Sequence, residues 1–382
     1  MTQSELTTSE WDGTLDRLGG AAALEAEARE TGAFRRPREV KCGVDLLRLT
    51  LAYCLGHKGL RYIAAWSEGI GIASLSNVAL LGRLRNMLPW LEKIAARLLA
   101  QSRPAALLAD AAPGADRPIR VIDATTVRKA GKSARESGRL WRIHASYALP
   151  AEQFSSFELT DETEPERINR VAATPGELII ADRVHCRVED LADVIAQGAD
   201  ILVRASWRSA RWLEEDGRPC DIIRELKECA TGRIDRPIWL ARAKAEPLRL
   251  RLVAVRMPKA QATKAVADAR AEAKRKQHAI QPGTLVAAEW VILVTTLSPA
   301  DDPTDKVLEL YRLRWRIEIA FKRMKSIAGL AGPPGECPLV AKAWVLSHLI
   351  AVLLTEAHLA AFGDSPRRGP APDATSGKPI AT

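Results

Sequence analysis

The sequence predicts a mixed α/β chain: an all-α N-terminal domain, a sheet-bearing core with a β-rich insertion, and a C-terminal helix. Three observations lead there. Up to residue 105 the apolar residues fall in short helical patterns separated by glycines. From Ile119 the pattern changes to that of strands, and a strand–helix–strand unit follows. Near residue 311 helical period returns and carries a dense run of bases around one acid.

Leu46–Cys54, Leu60–Trp66 and Asn77–Leu88 each read as a short helix, divided by Gly56/Gly59 and Gly69/Gly71. Ser76 is a candidate N-cap, because its hydroxyl can accept from a free first-turn amide. Pro89, tolerated in a first turn, opens a further helix, Trp90–Leu99. Three short helices with Lys58, Arg61, Arg83 and Arg85 on the outside fit a helix-turn-helix-like DNA reader. A plain helical bundle with ordinary surface arginines is the alternative. Residues 1–105 form this expected domain, and Pro104–Pro118, mixed in Ala, Pro, Gly and Asp, reads as a linker.

Ile119–Val127 is a β-rich run with Asp123 in its middle, and Leu140–Leu149 and Phe154–Thr160 follow as strands. Glu166–Ala173 has the pattern of a short helix. Glu177–Asp182 is a continuous apolar run ending in an acid, as expected of a strand buried on both faces. Val188–Gln197 is helical in period and Asp200–Ala205 is another buried strand, completing a parallel βαβ unit. Three meandering strands followed by βαβ is the order of a ribonuclease H-like fold. Residues 106–206 are expected to be its first part.

Residues 207–285 read as an insertion. Arg236–Ala243 and Leu248–Met257 are strands, and Lys259–His278 is a basic helix. The core resumes over 286–335, with a strand at Glu289–Leu297 and then the run Tyr311–Lys325, which reads as one helix. At 100° per residue Leu310, Leu313, Ile317, Ala320, Phe321 and Met324 share one face. Tyr311, Arg314, Glu318 and Lys325 lie within about 60° of one another on the adjoining face. Residues 336–362 are expected to be a C-terminal helical segment. Its apolar stretch Ala343–Thr355 is short for a bilayer and holds Ser347 and His348, so it reads as buried rather than membrane-spanning. Residues 363–382, rich in Pro, Ala, Gly and Ser, are expected to be disordered.

The formal net charge is +9 with a pI near 9.4, which favours a polyanionic partner. Six scattered cysteines show no C-x-x-C and no zinc-like pairing with histidine, which fits a reducing cytosol. The polar N-terminus lacks a signal-peptide apolar stretch, and no phosphate-binding G-x-x-x-x-G-K-[ST] occurs. A cytoplasmic protein with neither membrane association nor nucleotide cofactor is expected.

Three acids carry the chemistry. Asp123 interrupts a hydrophobic strand, where a buried carboxylate is costly unless paired or metal-bound. Asp182 ends a buried parallel strand, where such sheets place functional groups. Glu318 comes from the late helix. Together they are a candidate ligand set for two Mg2+ or Mn2+ ions, with Arg314, Lys325 and Tyr311 beside them to hold phosphate. Each acid also has a bland explanation. Asp182 can cap a helix or pair with Arg183, Asp123 can bond nearby amides, and a charged helix can be a solvated face.

The combination resembles a DDE transposase of the insertion-sequence-four family. Tyr311, Arg314, Glu318 and Lys325 match that family's Tyr-x2-Arg-x3-Glu-x6-Lys signature. Val121-Ile-Asp123-Ala-Thr125 and Ala181-Asp182-Arg183 match its two aspartate motifs, and Trp290–Thr296 matches the strand before the signature helix. The likeness spans roughly residues 45–360. It departs after Arg183, where the family often has Gly-Tyr and this chain has Val184-His185.

The resemblance implies an enzyme that binds terminal inverted repeats, cuts DNA with Mg2+ or Mn2+, and joins 3′ ends to target DNA as a synaptic homodimer. It also implies phosphate contacts by Tyr311, Arg314 and Lys325. Some relatives stack a flipped base on a tryptophan, for which Trp290 is the candidate here, the alternative being a core residue of its strand. Two other functions share these features: a ribonuclease H-like nuclease without strand transfer, and an inactive or domesticated DNA-binding protein.

Overall fold

Among the described residues, nine strands join edge to edge in a single sheet. The computed structural model describes residues 8–101, 117–130, 140–149, 152–208, 210–335 and 337–361. The expected linker lies almost wholly outside the described residues, and the expected disordered tail does so entirely. The chain divides into two compact units, Leu99–Lys342 and a helical one made of residues up to Leu98 and from Ala343 onward.

In the first of these, β1 (Ile119–Arg128), β2 (Leu140–Leu149) and β3 (Gln153–Asp161) form an antiparallel meander. The short β4 (Leu178–Ala181) pairs parallel with β1 on one side and with β5 (Asp200–Arg204) on the other. All four residues of β4 are buried, as a strand covered on both faces requires. The helix between β4 and β5 runs Val188–Ala196 and makes the connection of a parallel pair. The pattern over Glu166–Ala173 yields only one 3-10 turn, Ile168–Arg170.

The inserted segment does not form a separate layer. Its strands β6 (Trp212–Leu213), β7 (Arg233–Leu240) and β8 (Leu248–Arg256) continue the same sheet through β9 (Trp290–Thr295), giving the order β3-β2-β1-β4-β5-β9-β8-β7-β6. β9 lies antiparallel to both β5 and β8. One apolar cluster therefore runs from Ile122 and Ile179 through Val203 to Leu252 and Trp290. The basic helix of the insertion spans Lys259–Arg275 and buries little besides Ala273.

The expected single helix over Tyr311–Lys325 is two. One runs Thr304–Arg312 and the next Trp315–Ser326. Between them the amides of Leu313, Arg314 and Arg316 bond three residues back, so the chain tightens for a turn while staying near helical angles. Ile317, Ala320, Phe321 and Met324 are buried as their spacing predicts.

The helical unit begins with two helices that the sequence patterns did not mark, Thr8–Arg17 and Ala21–Glu30. Then come Gly43–Leu55, Leu60–Gly69, Asn77–Leu84 and Leu88–Gln101. Gly56 closes the third, where any Cβ would stand 2.4 Å from the Ala52 carbonyl oxygen. Ser76 caps the fifth by accepting from the Ala79 amide at 3.1 Å. Arg61 and Arg85 are exposed, whereas Lys58 and Arg83 are half-buried, Lys58 lying over the Tyr62 ring. The C-terminal helix, Pro338–Ala361, is longer than its apolar stretch implied. Residues Pro338–Ala357 are long and apolar enough to cross a bilayer, yet 61% of the window considered is buried inside the protein. Trp344 packs edge-on against Tyr53, and His348 is fully buried with its Nδ1 on the Trp344 carbonyl.

Candidate active site

Strand alternation decides which residues of β1 reach the site. Ile122 enters the apolar cluster on one face, so Asp123 and Thr125 point to the other. There they line an open cleft of about 500 Å³ with Glu318, Phe321, Lys322 and Lys325. Asp182 arrives from the adjacent strand. The last parallel pair is Ile122 with Ala181, so Asp123 and Asp182 are the next residues on neighbouring strands.

Asp123 accepts from the Ala124 amide at 2.8 Å and is largely desolvated. Burial pushes its carboxyl up to about 6, with the nearby Asp182 adding to the effect and Arg314 opposing it. Asp182 caps the 3-10 turn Arg183–His185, its Oδ1 accepting from the Val184 amide at 2.7 Å. Burial works to raise this carboxyl too, but the His185 ring, the Val184 amide and the Arg314 charge outweigh it, holding Asp182 below the usual carboxylate range. The His185 ring is itself buried, with Nδ1 3.8 Å from Asp182 Oδ1, beyond hydrogen-bond reach.

Arg314 joins the acids. Its Nη2 lies 2.5 Å from Glu318 Oε1 and its Nη1 3.6 Å from Asp123 Oδ2. Glu318 is in the first turn of its helix, one turn beyond Arg314, so the i,i+4 spacing delivers the contact. Lys325 Nζ donates to Thr125 Oγ1 at 2.5 Å, and burial lowers its pKa. The Tyr311 ring lies 6.0 Å from the Arg314 guanidinium, while its hydroxyl is buried without a hydrogen-bond partner among the described residues.

The donor set suits a hard divalent cation, being all carboxylate oxygen with one member desolvated and in need of positive charge. Among the described residues, however, no three His, Cys, Asp or Glu side chains stand close enough together to hold an ion. The guanidinium between Asp123 and Glu318 supplies that charge instead. Thus Asp123, Glu318 and Lys325 line one cleft, with Asp182 on the strand beside Asp123 and Arg314 paired to Glu318 and near Asp123, rather than forming a closed ligand cluster.

Trp290 does not line this cleft. It is 1% exposed, lies in the apolar cluster of the sheet, and has Arg256 stacked over its ring at 4.8 Å. A base cannot reach it without unpacking the core, so its role as a stacking platform is corrected to that of a core residue. Trp315, directly after Arg314 in the chain, is an exposed aromatic. Two residues near the acids, Thr125 and His185, were named in the sequence only as motif neighbours and given no role there. Thr125 was detectable, because period 2 places it on the face of Asp123. His185 had only its position after Asp182 to mark it.

Comparison with known proteins places the chain in a family. The Transposase DDE domain family matches residues 114–354, more than half of the chain. The chain is 35% identical over 352 residues to a putative transposase, InsL, of insertion sequence element IS186A of Escherichia coli strain K12, covering 91% of this chain and 93% of the relative. It is also 35% identical over 353 residues to the transposase of insertion sequence element IS421 of Escherichia coli, with the same coverage. A solved piggyBac transposase synaptic complex with hairpin DNA is similar at a TM-score of 0.45 and 9% identity, over 95% of this chain and 77% of that one. The family match and the two bacterial relatives are sufficient: the chain belongs to the DDE transposases and is a transposase of a bacterial insertion sequence.

Proposed function

We propose that this transposase belongs to the insertion-sequence-four group and cuts and joins DNA at its element's terminal inverted repeats, with Asp123, Asp182 and Glu318 as the ligands of two Mg2+ or Mn2+ ions. The observation that carries the reading is the shared guanidinium: Asp123 and Glu318 come from a strand and a distant helix yet meet at Arg314. The strand order β3-β2-β1-β4-β5, antiparallel for three strands and parallel thereafter, supports a ribonuclease H-like core.

When bound, the cations activate a water or 3′-hydroxyl and stabilise the leaving oxygen. The chain's own groups do the rest. Arg314 presents a planar fork and Lys325 a point charge to the phosphates of the bound end. The buried Tyr311 hydroxyl needs a partner and lies beside Arg314, which fits a third phosphate contact. Asp182 is held ionised by its cap and by His185, so it is a ready ligand at neutral pH. The exposed Arg61 and Arg85 of the helical unit fit a DNA-reading surface. The active form is a synaptic homodimer on double-stranded DNA in the cytoplasm.

Asp182→Asn and Glu318→Gln each keep shape and remove an anionic ligand. Both should abolish Mg2+-dependent nicking of a terminal-repeat duplex while sparing its binding. Retained nicking by either removes that residue from the essential set. A strand-transfer assay with precut ends separates this reading from a nuclease that only cuts.

A further inference from the structure

Arg314 has two incompatible engagements. In the structure its fork is committed to acids, at 2.5 Å to Glu318 and 3.6 Å to Asp123. On the proposed reading the same fork holds a DNA phosphate and the same acids hold cations. Glu318 Oε1 cannot give its lone pairs to the guanidinium and to a metal ion at full strength. Of the bases on the helix Trp315–Ser326, Arg316 pairs with Glu152 and Lys325 donates to Thr125.

We infer that Arg314 is an exchangeable stand-in for the divalent cation, so that metal and DNA phosphate bind cooperatively by displacing it between them. The inference rests on the proposed metal site and states how that site is regulated. Without a cation, adjacent Asp123 and Asp182 repel, and the guanidinium keeps the acids gathered. A cation that takes Glu318 Oε1 breaks the 2.5 Å pair, and the freed guanidinium then needs an anion. A phosphate on the cleft provides one. Conversely, a phosphate that draws Arg314 away leaves uncompensated carboxylates that attract a cation. Arg314 sits at the tightened turn between two helices, where its side chain is 21% exposed. Linkage then requires each ligand to raise the other's affinity equally, on the order of 5–150-fold for couplings of this kind. The physical gain is order: cations are held poorly until DNA is present.

Mn2+ binding to the full chain, followed by electron paramagnetic resonance, tests this without reference to catalysis. The DNA is a duplex copied from the sequence bordering the gene, used at saturation. For the wild type, the duplex should tighten Mn2+ binding at least several-fold. Arg314→Ala without DNA should bind Mn2+ more tightly than the wild type, and the duplex should no longer change it. Arg314→Gln keeps a polar stem without the charge and should behave alike if the alanine variant misfolds. Mn2+ affinity of Arg314→Ala equal to or below wild type without DNA would make Arg314 a fixed strut for Glu318 and overturn the inference. Tighter binding that still responds fully to DNA would also overturn it, since a bystander charge does no more than that. If instead Asp182→Asn and Glu318→Gln bind Mn2+ as the wild type does, the metal-site reading itself fails.

Discussion

Asp123→Asn should stabilise the cation-free protein at neutral pH, and the amount follows from where the carboxylate sits. Burial raises its pKa from 3.8 to about 6 in the folded chain. Between those values the native state binds more protons than the unfolded one, so stability falls as pH rises through that window. Below about pH 4 both states are protonated and nothing is lost. Above about pH 6 the full penalty is present. At ~1.36 kcal/mol per pH unit, the penalty is about 3 kcal/mol, an upper figure since part of it relaxes with local water. Asparagine keeps the acceptor for the Ala124 amide and carries no charge, so it escapes the penalty. For a unit of this size the melting point should rise by roughly 6–12 °C at pH 8, taking ~2–4 °C per kcal/mol. The assay is a pair of thermal melts in chelator across pH 3.5–8. The gap should close as pH falls through the window. Added Mn2+ should stabilise the wild type and leave the variant unmoved. Coincident melts at pH 8, or a gap that widens toward acid, would refute the desolvation argument.

Trp290→Ala should cost about 3–5 kcal/mol, because a filled core site is emptied; soluble yield and every catalytic step should then fall together. A melt that stays at the wild-type value alongside a selective loss of hairpin processing would return Trp290 to base stacking. Lys325→Ala should weaken binding of the terminal duplex and lower its salt slope by about one, as loss of one phosphate contact does. Fluorescence anisotropy across a salt series measures both, and an unchanged slope would mean that Lys325 serves only Thr125.

Much of the sheet was legible because its strands are apolar runs of distinct kinds. β1, β2 and β5 fell within two residues of their expected ends, and the all-buried β4 was recognisable from Leu178-Ile-Ile-Ala181 alone. The aspartates stood out for the same reason, being acids where the flanking residues demand burial. What escaped was information that no local window contains. β5 and β9 pair Leu202 with Thr295 across more than ninety residues, so the continuity of the insertion with the core left no signal in either strand. The early helices Thr8–Arg17 and Ala21–Glu30 are short and polar, and their formation depends on tertiary partners. The break at Leu313–Arg314 keeps near-helical angles, which a 100° periodicity cannot distinguish from an unbroken helix. Trp290 was ambiguous in principle, since strands place aromatics in cores and on platforms alike.

The departure at Val184-His185 bears on how this chain holds phosphate. Where the insertion-sequence-four resemblance leads one to expect a tyrosine, the ring of His185 is buried beside Asp182. A side chain 2% exposed cannot contact a duplex, so any phosphate contact made there by a tyrosine has no counterpart at this position. Tyr311 serves as a phosphate contact only once its buried hydroxyl is uncovered, so it follows rather than starts engagement of the DNA end. The burden of holding the DNA end therefore falls first on Arg314 and Lys325, and both are engaged with protein groups in the structure. Each contact to DNA must be made by exchange. The Lys325 exchange gives up one hydroxyl, a weak and neutral partner. The Arg314 exchange gives up a carboxylate, which becomes acceptable only when another positive charge arrives. The two signature bases thus differ in kind. Lys325 should contribute to DNA affinity with or without metal, whereas Arg314 should contribute mainly when metal is bound, and that contrast ties the order of events in the site to two hydrogen bonds.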